Sequence, residues 1–297
     1  MSSREAIEQS LHEAALEPTI IRIRDLSGGC IHRVQEIRLR DGVTVVAKTN
    51  SAAHLHMFQE EAEGLRALAR TNTLLVPKPL AVIESAGVAV LLMTAIEHAA
   101  VSPRTWTRFG EELAGLHQTD AGHRYGFQTD NHLGTTPQPN TWCDDWVQFN
   151  AEHRLGHQLD LAAKRGRLDT NEAARIQAVI DALEDHIPRQ PKPALLHGDL
   201  WSGNALPACD GDDATERIAV IDPACCIGDG WADIAMMKLF GGFPDGCFQS
   251  YEANVSDRAQ LDSRIAVYQL YHVLNHVNLF GRSYAGQAMA IAAKLGG

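Results

Sequence analysis

Residues 195–204 read Leu-Leu-His-Gly-Asp-Leu-Trp-Ser-Gly-Asn. An apolar run enters a loop that carries Asp199, and Asn204 follows five residues later. Phosphoryl transfer asks such a loop for a carboxylate near the acceptor hydroxyl and an amide oxygen on a metal. The spacing His-x-Asp-x-x-x-x-Asn suits that task. The bland alternative is a capped turn, where Asp and Asn are common. Toward the C-terminus, Ile218-Ala219-Val220-Ile221 is a second apolar strand, ending in Asp222-Pro223 eighteen residues after Asn204. An Asp so placed is suited to holding Mg²⁺ against nucleotide phosphates, or is a strand-end turn residue. Asp233 lies eleven residues further on, at the start of a helical pattern.

Toward the N-terminus, the first 95 or so residues alternate as strands. After a short helix with Ile7, Leu11, Ala14 and Ala15 on one face, Ile20 to Leu26 and Ile31 to Arg40 are β-prone. Asp41-Gly42 signals a hairpin into Val43–Lys48. A helix follows over about 53–70, then strands at 80–84 and 88–94. Lys48 ends the return strand, where its ammonium can meet nucleotide phosphates in a solvent-filled cleft if a carboxylate holds it. Glu60, Glu61 and Glu63 on the next helix all qualify. Taken alone, Lys48 also fits a solvated edge-strand lysine. The turn Ser27-Gly28-Gly29-Cys30 is suited to covering phosphates with backbone amides. It is not a Walker A motif. From about residue 95 onward helices dominate, over 106–118, 142–165, 170–187 and 231–295, with short buried strands at 194–196 and 218–221.

The composition narrows the classes. Of 297 residues, 45% are hydrophobic, enough to bury a core, and 26 basic against 37 acidic residues give a net charge of −11. That balance speaks against nucleic acid as partner. The stretch 85–96 lies between Glu84 and Glu97 and is too short to span a bilayer. The N-terminus carries charges where an export signal needs an apolar run. Six cysteines without a C-x-x-C pair read as free thiols, so a cytoplasmic setting is expected. Trp142, Trp146 and Phe149 read as a core stripe, and Trp201, inside the loop, as a substrate contact. His272 and His276 lack the glutamate of a zinc-protease motif.

The chain resembles the fructosamine kinase (ketosamine kinase) family, which shares the protein-kinase-like fold with aminoglycoside and choline phosphotransferases. The likeness rests on HGDLWSGN (197–204), LFGGF (239–243), LSGGCIH (26–32), LAGLHQT (113–119), GTTPQ (134–138) and YQLYHVLNHVNLFG (268–281). It implies an α+β fold of two lobes. A small β-rich lobe, 1–94, binds nucleotide, a larger helical lobe, 95–297, carries catalysis and substrate, and the active site lies in the cleft between them. It implies ATP and Mg²⁺, with Asp199 as base, Asn204 and Asp222 as metal ligands, and Lys48 on the phosphates with Glu61 as the chosen partner. Backbone of Met93, Thr94, Ala95 and Ile96 would read adenine, Ser27, Gly28 and Gly29 would cover phosphate, and His197 and Asp233 would brace the loop. The implied acceptor is a sugar hydroxyl of a ketosamine, small or protein-linked, whose phosphorylation frees the amine. The alternatives are an aminoglycoside- or choline-type phosphotransferase, or a nucleotide-binding pseudokinase. Where eukaryotic members tend to carry a Tyr-Tyr-Gly-His-Arg-Glu-like run, this chain has Cys226-Ile227-Gly228-Asp229-Gly230-Trp231. That run is expected near the acceptor, with Trp231 touching it. Cys30, beside the glycines, is expected to be a redox-sensitive thiol.

Overall fold

The computed structural model describes residues 3–26, 31–210 and 215–297. The chain runs α1 (Ser3–Glu13), β1 (Ile20–Asp25), β2 (Arg33–Leu39), β3 (Thr44–Ser51), α2 (Leu55–Arg70), β4 (Pro79–Ser85), β5 (Val88–Thr94), β6 (Glu97–His98) and α3 (Pro103–Gln118). It continues with β7 (Asn131–Leu133), β8 (Thr136–Gln138), α4 (Trp146–Asn150), α5 (Gly156–Lys164), α6 (Thr170–Asp181), β9 (Pro193–Leu196), β10 (Ala205–Asp210), β11 (Thr215–Val220) and β12 (Cys226–Asp229). Four helices close it, α7 (Trp231–Phe240), α8 (Asp245–Asn254), α9 (Leu261–Phe280) and α10 (Ala285–Lys294). Contacts divide it into two compact units, Met1–Thr105 with Gly203–Pro223, and Trp106–Ser202 with Ala224–Gly297.

The first unit is built on an antiparallel sheet in the order β1-β2-β3-β5-β4. Gly42 (φ +95°) turns the β2–β3 hairpin, and Val43 N–H donates to Asp41 Oδ1 at 2.9 Å. Gly42 N–H donates to Leu39 O at 3.1 Å and Asp41 is not left-handed, so the hairpin turns on a longer loop with one left-handed glycine and not on a two-residue Asp-Gly turn. Strand period then sorts the side chains. Ile37, Leu39, Val45, Ala47, Val90 and Leu92 bury a core with Ile7 and Leu11 of α1. Lys48, one step on from Ala47, faces the opposite way and meets α2. The 94/95 division read from the sequence differs from the contact division in two places. β6 pairs with β10, and the β10–β11 hairpin reaches Leu75, whose carbonyl accepts from Val220 N–H at 2.9 Å. Residues 95–105 and 203–223 therefore group with the first unit.

The second unit is helical, with the pairs β7–β8 and β9–β12 inserted. The single helix read over 142–165 is broken. Asp145 caps α4 by accepting from Gln148 N–H at 3.0 Å, so Trp142 stays outside. A π-helical segment, Ala151–Leu155, then separates α4 from α5. Trp146 is buried against Phe149 (ring centroids 5.2 Å apart, 12° between planes) and donates its indole N–H to Tyr268 at 2.8 Å. α6 starts on a capping box of Asp169 and Glu172 and stops at Asp181, short of the expected Ile187.

Candidate active site

In the first unit, β3, α2 and the end of β11 bring together Lys48, Glu61 and Asp222. Lys48 Nζ lies 2.7 Å from Glu61 Oε1 and also donates to Asp222 Oδ1. Of the three helix glutamates, Glu61 is thus the one on the lysine. The expectation of a solvent-facing lysine head is corrected, because these carboxylates enclose it and Lys48 is only 5% exposed. Burial opposes the charge on Lys48, but Glu61 and Asp222 outweigh it and hold the ammonium above its ordinary range. Burial likewise raises Glu61 against the pull of Lys48. His32 packs on Phe58 with ring centroids 4.7 Å apart; burial, with the Lys48 cation and His54 adding to it, lowers its pKa to about 4. It is a neutral imidazole.

The β10–β11 register sets Asn204 and Asp222 at one end of the hairpin. Ala205 pairs with Val220, and Ile221 N–H donates to Asn204 O at 3.0 Å. Asp222 adopts φ +56°, a left-handed conformation that Asp tolerates better than most residues. Its side chain is 43% exposed, so a carboxylate already touching Lys48 remains open to a second partner. A carboxylate and an amide oxygen form an all-oxygen donor set, which suits a hard cation such as Mg²⁺. Met93 and Thr94 end β5, with Thr94 N–H donating to Lys78 O at 3.0 Å, and Ala95 and Ile96 lead on to β6, half-buried. Ser27, Gly28, Gly29 and Cys30 lie outside the described residues.

In the second unit, β9 delivers His197-Gly198-Asp199. The buried Asp233 carboxylate accepts from His197 N–H at 2.8 Å and Gly198 N–H at 2.9 Å. Burial would raise Asp233, but His117 at 3.2 Å, His197 and the Gly198 amide hold it below the usual carboxylate range. Ala224 N–H donates to His197 O at 2.9 Å. Gly198 (φ +83°) has to be glycine, since a Cβ there would lie 2.0 Å from Ala224 O. The loop continues through Trp201, whose N–H donates to Asp199 O at 3.2 Å. Asp199 is half-buried and Trp201 is 41% exposed.

Two acceptor-side expectations are corrected. Trp231 is 1% exposed, donates its indole N–H to Asp257 O at 2.8 Å and packs edge-on to Tyr251. It is a packing residue. The whole run 226–231 is buried: Cys226–Asp229 form β12 against β9, Gly230 is the N-cap of α7 and Trp231 its first residue. Asp229 within it is held by Arg264 Nε and Tyr268 Oη, each at 2.5 Å. Sequence reasoning missed the second layer of the loop brace, where Tyr251 Oη and His117 Nδ1 lie 2.9 Å apart. His117 was in view within LAGLHQT, but nothing in its spacing tied it to Asp233.

The two-lobed, kinase-like α+β fold, together with the family and relatives that the chain matches, makes it a phosphotransferase acting on an alcohol group. The sequence profile of fructosamine kinase matches residues 3–295, and the chain belongs to the fructosamine kinase family. It is 42% identical over 286 residues to a Synechocystis protein named a probable ketoamine kinase, covering 96% of this chain and 94% of the other. It is 36% identical over 275 residues to the chloroplastic protein-ribulosamine 3-kinase of Oryza sativa subsp. indica, covering 92% and 78%. A solved Haemophilus somnus protein named for fructosamine-3-kinase superposes with a TM-score of 0.85 at 31% identity, covering 97% and 96%. The aminoglycoside phosphotransferase APH(4)-Ia, at 19% identity and a TM-score of 0.64 with full coverage of both chains, shares the fold.

Proposed function

We propose that this kinase uses ATP and Mg²⁺ in the cytoplasm to phosphorylate a sugar hydroxyl of ketosamines, free or protein-linked, as a step toward deglycation. The observation that carries the reading is the braced loop. Asp199 sits half-buried on a segment whose backbone is fixed by the buried Asp233, in a chain of the fructosamine kinase family. Asp199 orients the acceptor hydroxyl and accepts its proton. The freed oxygen forms a bond to the γ-phosphorus as the bond to the departing ADP oxygen breaks. Lys48, kept charged by Glu61 and Asp222, neutralises phosphate oxygens, so its position carries catalysis through electrostatics. Asn204 and Asp222 would hold the metal, which supplies further charge neutralisation on the triphosphate when bound. Met93 to Ile96 supply the adenine-reading backbone, and Trp201 offers an apolar face to the sugar.

ADP formation with fructosyl-lysine, ribulosyl-lysine, hygromycin B and choline, each with Mg·ATP, tests this. Turnover with the two ketosamines alone is expected. Turnover with hygromycin B or choline instead would give the chain to the other branch of the fold. ATP binding without turnover on any of the four would make it a pseudokinase.

A further inference from the structure

A chain of buried amides runs behind the loop that carries Asp199, and its polarity is fixed from one end. Arg154 can only donate. Its Nη2 gives to Asn140 Oδ1 at 2.7 Å, which turns the Asn140 amide so that Nδ2 gives to Asn131 Oδ1 at 3.0 Å. Asn131 in turn points Nδ2 at the carbonyl of Cys225, 2.8 Å away. Gln138 sits beside it with the same sense. Its Nε2 donates to Asn131 Oδ1 at 2.7 Å and to the carbonyl of Ala224 at 3.2 Å, while its Oε1 accepts from Tyr271 Oη at 2.6 Å. All four residues of this ladder are buried.

Ala224 is the residue against which the loop is seated. Its N–H holds His197 O, and its carbonyl occupies the space where Gly198 has no side chain. Gln138 therefore holds the surface on which His197-Gly198-Asp199 lies, while Asp233 holds the loop's own amides. Tyr271, the other partner of Gln138, is close enough to Asp199 that the aspartate's charge adds to the burial that raises its pKa to about 12.

We propose that Gln138 is a positioning residue for phosphoryl transfer. Through the Ala224 carbonyl it sets where the Asp199 carboxylate stands, and the hairpin β7–β8 exists to present it. This rests on the reading of Asp199 as the base. None of the ladder's hydrogen bonds ends on Lys48, Asn204 or Asp222, so loss of Gln138 is expected to act on turnover more than on ATP binding.

The test is Gln138→Glu, which keeps the shape and replaces the donor with an acceptor facing two acceptor oxygens, together with Gln138→Met, which keeps the volume and removes both functions. Misplacing a catalytic group by about 1 Å costs on the order of 100-fold. Turnover of fructosyl-lysine is expected to fall roughly 10- to 100-fold in Gln138→Glu and less in Gln138→Met, with KM for ATP within about two-fold of wild type. Amide exchange over 197–200 is expected to quicken about 10-fold in Gln138→Glu, with α10 unchanged. Turnover within two-fold of wild type in both variants would overturn the proposal, and so would unchanged exchange at 197–200 or a rise in KM for ATP that matches the loss. Should Gln138→Glu fail to fold, the same criteria apply to Gln138→Met. If wild type itself does not turn over fructosyl-lysine, the acceptor reading fails, and the exchange arm still decides the clamp.

Discussion

Lys48 shows how far single residues were legible. Its strand position and a glutamate-rich helix following it were enough to bring Lys48 and Glu61 into one hypothesis, because strand and helix periods are local properties. Its burial was not legible, because Asp222, 174 residues later, closes the cluster. Lys48→Met is expected to reduce kcat/KM for ATP at least 100-fold. It also strands Glu61 without its cation, and breaking a buried pair costs about 3–5 kcal/mol, lessened as Glu61 takes a proton. Glu61→Gln should show a comparable kinetic loss with a smaller stability loss, since Lys48 keeps Asp222. Glu60→Gln and Glu63→Gln should stay near wild type. Steady-state kinetics and thermal unfolding of the four variants check this; a Glu60→Gln or Glu63→Gln defect equal to that of Glu61→Gln would contradict the pairing. Trp231 marks the opposite case. An aromatic next to a loop reads as a contact until the fold shows its indole donating to Asp257 O.

Elements were read well where the pattern is strong and poorly where it is short. The five strands and two helices at the N-terminus follow alternation and hairpin turns. β10 was missed because Leu-Pro-Ala-Cys-Asp carries a proline and runs into Gly-Asp-Asp, a turn-like sequence; β11 and β6 complete it from either side. β12 was missed because Cys-Ile-Gly-Asp is short and holds a glycine. That glycine has a packing reason. A Cβ on Gly228 would lie 2.6 Å from Trp146 and 2.8 Å from the Leu196 side chain. Overpacking a filled core costs about 1–3 kcal/mol. Gly228→Ala is therefore expected to lower the melting temperature and, because Leu196 leads into His197, to lower turnover as well. An unchanged melting temperature would show that the β9–β12 ladder has slack there.

At the scale of the whole chain, the division into a β-rich and a helical part was legible from the shift in periodicity near residue 95, but the return of 203–223 to the first unit was not. That return depends on pairing between β6 and β10, across more than 100 residues. None of the helices among the described residues is long and apolar enough to cross a membrane. The buried imidazoles should cost stability on mild acidification. Burial is the main cause that lowers His32 to about 4 and His272 to about 3, against an ordinary 6.5. The unfolded chain therefore binds more protons between those values, and the stability these imidazoles contribute is complete above pH 6.5 and lost as pH falls toward 4 and then 3. Glu61, raised by burial to about 7, opposes this as it takes up a proton over the same range, so the test is differential. His272→Gln is expected to flatten the fall in melting temperature between pH 7 and 4.5, and an unchanged slope would contradict neutral burial of His272. The proposed function turns on Asp199 taking the proton of a ketosamine hydroxyl. It is tested most directly by kcat for fructosyl-lysine in wild type and Asp199→Asn, with Mg·ATP affinity measured on both. Loss of a general base costs about 10²–10⁴-fold, so a fall of that size is expected with nucleotide affinity unchanged. Turnover by Asp199→Asn near that of wild type would contradict it.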